Sequence, residues 1–307
     1  MTTAVAAPFR FFALQVVRTW RLGPSLVRVR FAGPDLAEFR SDGRDQSLSL
    51  FLPAPGRREP VVPLDRGDAW WQAWRELPED VRAVMRSYTL RERHTDAFGV
   101  TTGIDIDFVL HGIGPEGWDG RPDGPAGAGA RQEAGPASRW AARAAPGDRV
   151  LLLGPAVADN RAIRFRPPHD TDLVLMWADE TALPATAAVL ESLPAGTRAH
   201  VWLEVPHSGD VTDLAHRADA EITWFVREGG RGRGRDGSPG TPLALDSVRG
   251  TGLPRAERPY VWLAGESGCV KQLRRHFVGE RGIDRRRVTF VGYWRRGMSE
   301  EQLREQG

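Results

Sequence analysis

The chain has 307 residues, with 42 Lys/Arg against 40 Asp/Glu, a formal charge of +2, 41% hydrophobic and 27% charged residues. That balance suits a globular protein of about two domains and does not demand a nucleic-acid partner, which would need a basic patch. Lys271 is the only lysine, an arginine bias read as base composition of the genome rather than selection for phosphate binding; the lone Cys269 excludes a disulfide framework and a thiolate metal site.

From Phe9 to about Leu153 the chain is rich in short strand-like runs: RFFALQVVRTW, LVRVRFAG, SLSLFLP, RSYTLRER, DIDFVLHG and DRVLLLGP. Their mixed alternation suits antiparallel strands with one wet face, and their density suggests a barrel or sandwich. DAWWQAWRELPEDVRAVM reads as a helical insertion whose tryptophans would also fit a lid, and ASRWAARA as a second helix before the turn PGD. The N-terminal stretch is broken by Arg10 and Arg18, unlike a signal peptide, and no run reaches the roughly 18 apolar residues of a membrane span. The expectation is a cytoplasmic protein without membrane insertion.

From about residue 170 the rhythm changes. DLVLMWA, RAHVWLEV, EITWFV, PYVWLAG and RVTFVGYW read as five buried strands. Helical character follows the first in ETALPATAAVLESL, the second around TDLAHRA, and the fourth in SGCVKQLRRHFVGERG, ending at Gly282. Strands alternating with helices predict a parallel, helix-flanked sheet. The expected fold is therefore a β-barrel plus α/β protein: an antiparallel barrel over 1–160, followed by a Rossmann-like parallel-sheet domain over 170–307. Segments 114–135 and 229–240, dense in Gly and Pro, read as surface loops. The second resembles an Arg-Gly nucleic-acid tract, but it is short and lies between strand-like segments. The terminal SEEQLREQ reads as a short helix with a solvated face.

RSYTLR poses the sharpest question. As a strand it would place Arg86 and Tyr88 on one face, Thr89 and Arg91 on the other. It could be a solvated edge, or a platform of ring, hydroxyl and cations for a flat ligand carrying phosphates.

The motifs RSYTLR (86–91), DFVLHG (107–112), GPASRWAARAAPGD (135–148), ADETALPA (178–185), YVWLAGE (260–266) and GYWRRG (292–297) occur in one order across essentially the whole chain. In that order they resemble the siderophore-interacting proteins, FAD-dependent ferric-siderophore reductases of the ferredoxin-reductase-like superfamily. The resemblance implies FAD as cofactor and NADH or NADPH as donor. Tyr88 would lie against the isoalloxazine and Thr89 would hydrogen-bond its N5 region. Arg86 and Arg91 suit the flavin phosphates, because guanidinium forks match phosphate oxygens. His111 would stand by the diphosphate or adenine, with Asp107 and Val109 lesser candidates on the same strand. Gly135 and Ala137 would let backbone approach the pyrophosphate, and Ser138 would sit at a helix N-terminus, as a cap, a phosphate contact or both.

In the second domain no G-x-G-x-x-G follows the first strand. Asp179 and Thr181 are read as caps of the helix beginning near Ala182, with a cofactor role implied by the resemblance. Glu204 ends the second strand, where an acid holds a ribose hydroxyl and repels a 2′-phosphate, which favours NADH unless the side chain is simply exposed. Gly265 and Glu266 would face the nicotinamide. Tyr293 and Trp294 are read as core or lid aromatics, while Lys271, Arg295 and Arg296 would attract an anionic ferric chelate.

Two departures qualify the picture. About twenty residues separate His111–Gly112 from GPAS, which in the family nearly adjoin. Ser49 stands where several relatives place a lysine that grips ferric catecholates, so catecholate specificity does not follow. The implied activity is electron transfer from NAD(P)H through FAD to a ferric siderophore, releasing Fe(II). Three rivals remain: a flavin reductase exchanging electrons with ferredoxin or another protein, a non-catalytic flavin-containing siderophore-binding protein, and nucleic-acid binding through residues 229–240.

Overall fold

The computed structural model describes residues 7–113, 134–227 and 243–298. The loop candidate 114–135 falls outside these residues except for its last two, and 229–240 and the terminal SEEQLREQ lie outside them entirely. The chain divides into two compact units, Met1–Ala162 and Ile163–Gly307.

Among the described residues the first unit holds seven strands: β1 Phe9–Arg21, β2 Leu26–Ala32, β3 Ser47–Leu52, β4 Val84–Thr89, β5 Glu92–Thr95, β6 Thr101–Val109 and β7 Arg149–Pro155. They pair antiparallel in the order β4-β3-β7-β1-β2-β6-β5. The end strands β4 and β5 are joined by only Leu90 and Arg91. A flat seven-stranded sheet would hold its end strands roughly 29 Å apart at about 4.8 Å per strand, whereas that link spans about 11 Å at most. The sheet therefore curls into a barrel.

Its interior comes from alternate residues: Phe12, Leu14 and Val16 of β1, Val27, Val29 and Phe31 of β2, Leu48 and Leu50 of β3, Ile104, Ile106 and Phe108 of β6. The expected Trp-rich helix is shorter than its sequence suggested. α1 spans Trp70–Glu76, and Val84 and Met85 already belong to β4. Trp70, Trp71 and Trp74 pack with Phe11, Phe51, Met85, Leu151 and Leu153 in a separate cluster. They form a wall on the barrel's outer face. α2, Pro136–Ala141, packs against β4 and β6.

The second unit holds β8 Leu173–Asp179, α3 Leu183–Ser192, β9 Arg198–Val205, β10 Asp219–Val226, α4 Leu243–Gly250, β11 Pro259–Glu266, α5 Ser267–Arg275 and β12 Val288–Trp294. The five strands are parallel, in the order β10-β9-β8-β11-β12. This is a doubly wound sheet in which connections run outward from β8 in one direction and then return to β11. Residues 211–217, where a helix was expected, are non-helical and follow one short 3-10 turn at Ser208–Asp210. The helix before β11 is instead α4, whose Leu245 and Val248 are fully buried. Gly282, at φ +69, terminates the α5 region, which passes through a π turn at His276–Glu280. Among the described residues no helix is long and apolar enough to cross a membrane.

Candidate functional site

In the barrel, β4 pairs with β3 so that Arg86 faces Leu50 and Tyr88 faces Leu48. Paired residues point the same way in an antiparallel ladder, so Arg86 and Tyr88 lean toward the barrel interior at its rim, both half-buried. Arg86 donates from Nη1 to the Met85 carbonyl at 2.7 Å. Thr89 points oppositely and is buried, and the strand stops there. Leu90 turns into the core, and the Arg91 amide donates to the Asp105 carbonyl at 2.9 Å. Thr89 and Arg91 therefore do not share a strand face, because β4 ends at Thr89 and Arg91 lies in the link to β5, bonded to β6. The Arg91 charge acts on Asp107 instead.

The Tyr88 ring lies 4.4 Å from that of Phe108, tilted 47°. Phe108 touches Trp140 of α2 at 5.6 Å, and Trp140 stacks on Phe31 at 6.3 Å and 8°. This aromatic row was not singled out from the sequence, although the alternation of DIDFV already sends Phe108 inward. Ser138 proves not to cap α2. Gly135 occupies the cap position with no side-chain cap, and Ser138 Oγ donates to the Val109 carbonyl at 2.9 Å, tying α2 to β6. Val109 thus contributes backbone. Among the described residues, a Cβ on Gly135 would meet nothing within 4 Å. The bare backbone of Gly135 opens α2, which packs against β4, the strand that carries Arg86 and Tyr88. These residues fit a flavin dinucleotide.

Asp107 has a firm structural role. Arg28 grips it with two prongs, at 2.6 and 2.9 Å, and burial pushes its carboxyl upward against the pull of Arg28 and Arg91. His111 is half-buried at the end of the same stretch. Among the described residues, one group has metal-ligand spacing, Glu92, His94 and Asp105, but Arg30 already holds both oxygens of Asp105, at 2.8 and 2.9 Å.

In the second unit, the candidates gather where the sheet's winding reverses, at the carboxyl ends of β8, β9, β11 and β12. Open α/β sheets bind ligands at such a switch point. Asp179 is the last residue of β8 and only 3% exposed. Its Oδ1 accepts from the Thr181 amide at 3.0 Å and from the Thr181 hydroxyl. Its Oδ2 accepts from the Glu266 amide at 2.7 Å and from Trp294 Nε1 at 2.8 Å. Burial, reinforced by the neighbouring Glu180, pushes the carboxyl up to about 7. Asp179 and Thr181 therefore do not cap α3, whose cap position is Ala182 without a side-chain bond. Asp179 clasps the ends of β8, β11 and β12 instead, with Thr181 donating to it.

Gly265 has φ +141, and a Cβ there would lie 2.5 Å from Asp179 Oδ2, so the end of β11 is shaped around that carboxylate. Glu266 caps α5, with Oε2 accepting from the Cys269 amide at 2.8 Å. Cys269 is buried and its thiol is pushed far up by desolvation, which leaves it unreactive. Glu204 is not exposed. It is 3% exposed and pairs with Arg227 at 3.3 Å, which also holds Glu180 at 2.7 Å. Burial works against the charge on Arg227, yet the two carboxylates keep it firmly protonated. Neither Glu180 nor Arg227 was singled out from the sequence, since Arg227 follows β10 and meets the glutamates only through strand order. Lys271 stands on the exposed side of α5, and Arg295 and Arg296 are exposed in a turn after β12 that Gly297 closes at φ +75.

An antiparallel barrel bearing an Arg-x-Tyr-Thr strand, with a doubly wound parallel unit after it, defines the ferredoxin-reductase-like class of flavin and nicotinamide nucleotide proteins. Within that class, residues 15–159 match the family described as the siderophore-interacting FAD-binding domain, and residues 171–297 match the siderophore-interacting protein family. The chain belongs to the siderophore-interacting proteins. It is 27% identical to the ferric vibriobactin reductase ViuB of Vibrio cholerae, over 95% of this chain and 92% of that protein. It is 27% identical to the NADPH-dependent ferric-chelate reductase of Escherichia coli, over 93% of each. Among solved structures, a siderophore utilization protein from T. fusca is 32% identical, with a TM-score of 0.70 and 95% of each chain covered.

Proposed function

We propose that this chain is a ferric-siderophore reductase that draws electrons from a reduced nicotinamide nucleotide and delivers them through FAD to a ferric siderophore. The observation that carries the reading is the rim of the barrel. There an inward-leaning Tyr88, two arginines of one short motif and the bare Gly135 backbone of α2 suit one flat, phosphate-bearing ligand. The names of the relatives, a ferric vibriobactin reductase and an NADPH-dependent ferric-chelate reductase, support the acceptor and the donor.

FAD, when bound, supplies the two-electron to one-electron conversion that the reaction needs. The chain's own groups bind and orient. Arg86 and Arg91 neutralise phosphate charge, Tyr88 carries the ring, and Thr89 and His111 complete the cofactor contacts. Ala137 and Ser138 set the α2 backbone against the pyrophosphate. In the second unit, Gly265 leaves room for a nicotinamide beside Glu266, and Glu204 sits at ribose level. Because Arg227 compensates Glu204, that acid does not exclude a 2′-phosphate, which removes the reason to favour NADH. Lys271, Arg295 and Arg296 attract the anionic chelate. Reduction frees the metal because hard oxygen donors hold Fe(II) much less tightly than Fe(III).

The test is an anaerobic visible spectrum with NADH, NADPH and a ferric siderophore added in turn. A flavin band bleached by a nicotinamide and restored by the chelate, with Fe(II) trapped, is expected. A protein that binds no added FAD removes the reading.

A further inference from the structure

Asp179 draws more contacts than a ligand-binding carboxylate should. A carboxylate has about four lone-pair positions, and here Thr181 takes two while Glu266 and Trp294 take one each. None is left over for a nucleotide. What these contacts hold in place is the end of β12. The ladder between β11 and β12 shifts register after Gly265–Gly292, so that Glu266 pairs with Trp294 across an extra residue, Tyr293. Such a bulge re-aims the side chain beyond it, and here it turns the Trp294 indole onto Asp179. Ser267 Oγ then donates to the Trp294 carbonyl at 2.8 Å. A Cβ on Gly292 would lie 2.3 Å from that hydroxyl oxygen, so both chain and ring are fixed. The next residues form the turn that carries Arg295 and Arg296, closed by the Met298 amide on the Arg295 carbonyl at 3.1 Å.

We propose that Asp179 is a positioning residue for the chelate: it sets the Arg295–Arg296 turn by gripping Trp294 and the Glu266 amide, and that grip is strong only while its carboxylate is ionised. The inference rests on the reading that these arginines meet the ferric chelate. Of the four partners, only the Thr181 hydroxyl can turn from donor to acceptor. A proton therefore settles on Oδ1, and Oδ2 becomes a neutral carbonyl. Its bonds to Trp294 and Glu266 then lose the charge assistance that roughly doubles such a contact. Asp179 does not touch the chelate in this scheme.

The groups that set its titration are all at hand. Burial and Glu180, its chain neighbour, hold the carboxyl near neutrality. Glu180 is itself tied to Arg227, with Glu204 of β9 on the same guanidinium. From β11 and α5 come the Glu266 carboxylate and the Cys269 thiol, which also feels Arg249 of α4. Arg295 and Arg296 follow in the turn after β12.

The experiment labels the full chain with fluorotryptophan and follows fluorine NMR across roughly pH 5.5 to 8.5, a range centred on neutrality. Trp294→Phe identifies the relevant signal among the 11 tryptophans. The Trp294 signal should move with a midpoint near the Asp179 value of about 7. The KM for the ferric chelate should fall about tenfold over the same rise in pH with kcat nearly constant, the size of one strengthened ionic contact. Asp179→Asn should abolish both midpoints. Trp294→Phe, which removes the indole N–H along with part of the ring, should leave KM high and independent of pH, and it serves if the Asn variant does not fold. A Trp294 signal that stays flat in the wild type, or a midpoint that survives Asp179→Asn, overturns the inference. A Trp294 midpoint in a protein that turns over no ferric chelate would uphold the grip on Trp294 and sink the functional reading.

Discussion

Arg28 and Asp107 face each other across β2 and β6 and close a two-pronged ion pair, with side-chain exposures of only 15% and 5%. Its neighbour in the ladder, Arg30 with Asp105, repeats the arrangement. Both pairs stiffen the strand that leads to Val109 and His111. Removing one partner of a buried pair strands the other charge, which costs about 3–5 kcal/mol, whereas replacing both with apolar residues is often neutral. Arg28→Ala is therefore expected to lower the urea midpoint of the barrel strongly, and Arg28→Met with Asp107→Leu to restore most of it. Equal losses in the single and double variants would show that the pair itself stabilises.

The barrel rim makes a separate prediction for cofactor affinity. Arg91→Ala removes a guanidinium fork, and the Kd for FAD should rise about tenfold or more, since a lost phosphate contact is worth over roughly 1.4 kcal/mol. Titration of apoprotein with FAD, followed by quenching of flavin fluorescence, measures it. Unchanged affinity would mean that the arginine serves only Asp107.

Gly265 is the glycine whose replacement should do most harm. At φ +141 a side chain is strained, and its Cβ would strike Asp179 Oδ2. Gly265→Ala is expected to lose about 1–3 kcal/mol and to weaken nicotinamide-driven bleaching more than FAD binding. Thermal unfolding and stopped-flow reduction read the two effects, and wild-type behaviour in both would disprove the close approach.

Asp179 should also leave a mark on stability. Its folded carboxyl is raised from 3.8 to about 7, so the folded state holds a proton more tightly than the unfolded chain does. Stability from this group is full below about 4 and is lost as pH rises through about 7. Asp179→Asn should flatten that decline in denaturant titrations of the second unit. A decline of the same slope in the variant would assign it to other groups.

Donor choice offers the last prediction. With Arg227 holding Glu180 and Glu204, the acid proposed to meet the ribose, Glu204, is compensated. Arg227→Met should expose it and shift the ratio of kcat/KM for NADPH over NADH downward by about tenfold, the worth of one charge contact. An unchanged ratio would place the ribose elsewhere.

Much of the architecture was legible because period-two and helical patterns report local burial directly. Six barrel strands, five parallel strands and the order of the motifs could be read from composition and alternation. The elements misread were those whose pattern is weak. α4 carries only Leu245 and Val248 into the core, and residues 211–217 are helix-like in composition but follow β9 without packing as a helix. The caps assigned to Asp179 and Thr181 failed for another reason: a side-chain oxygen can serve any donor within reach, and strands distant in sequence supplied nearer ones.

By itself, then, the sequence determined the strands and most of the helices and marked candidate residues for flavin, nucleotide and chelate, because those patterns are local. Only the tertiary structure decided partners: Arg28 for Asp107, Arg227 for Glu204, Phe108 for Tyr88, and Trp294 for Asp179. Strand order and a single bulge bring each of those pairs together, and no spacing along the chain encodes either.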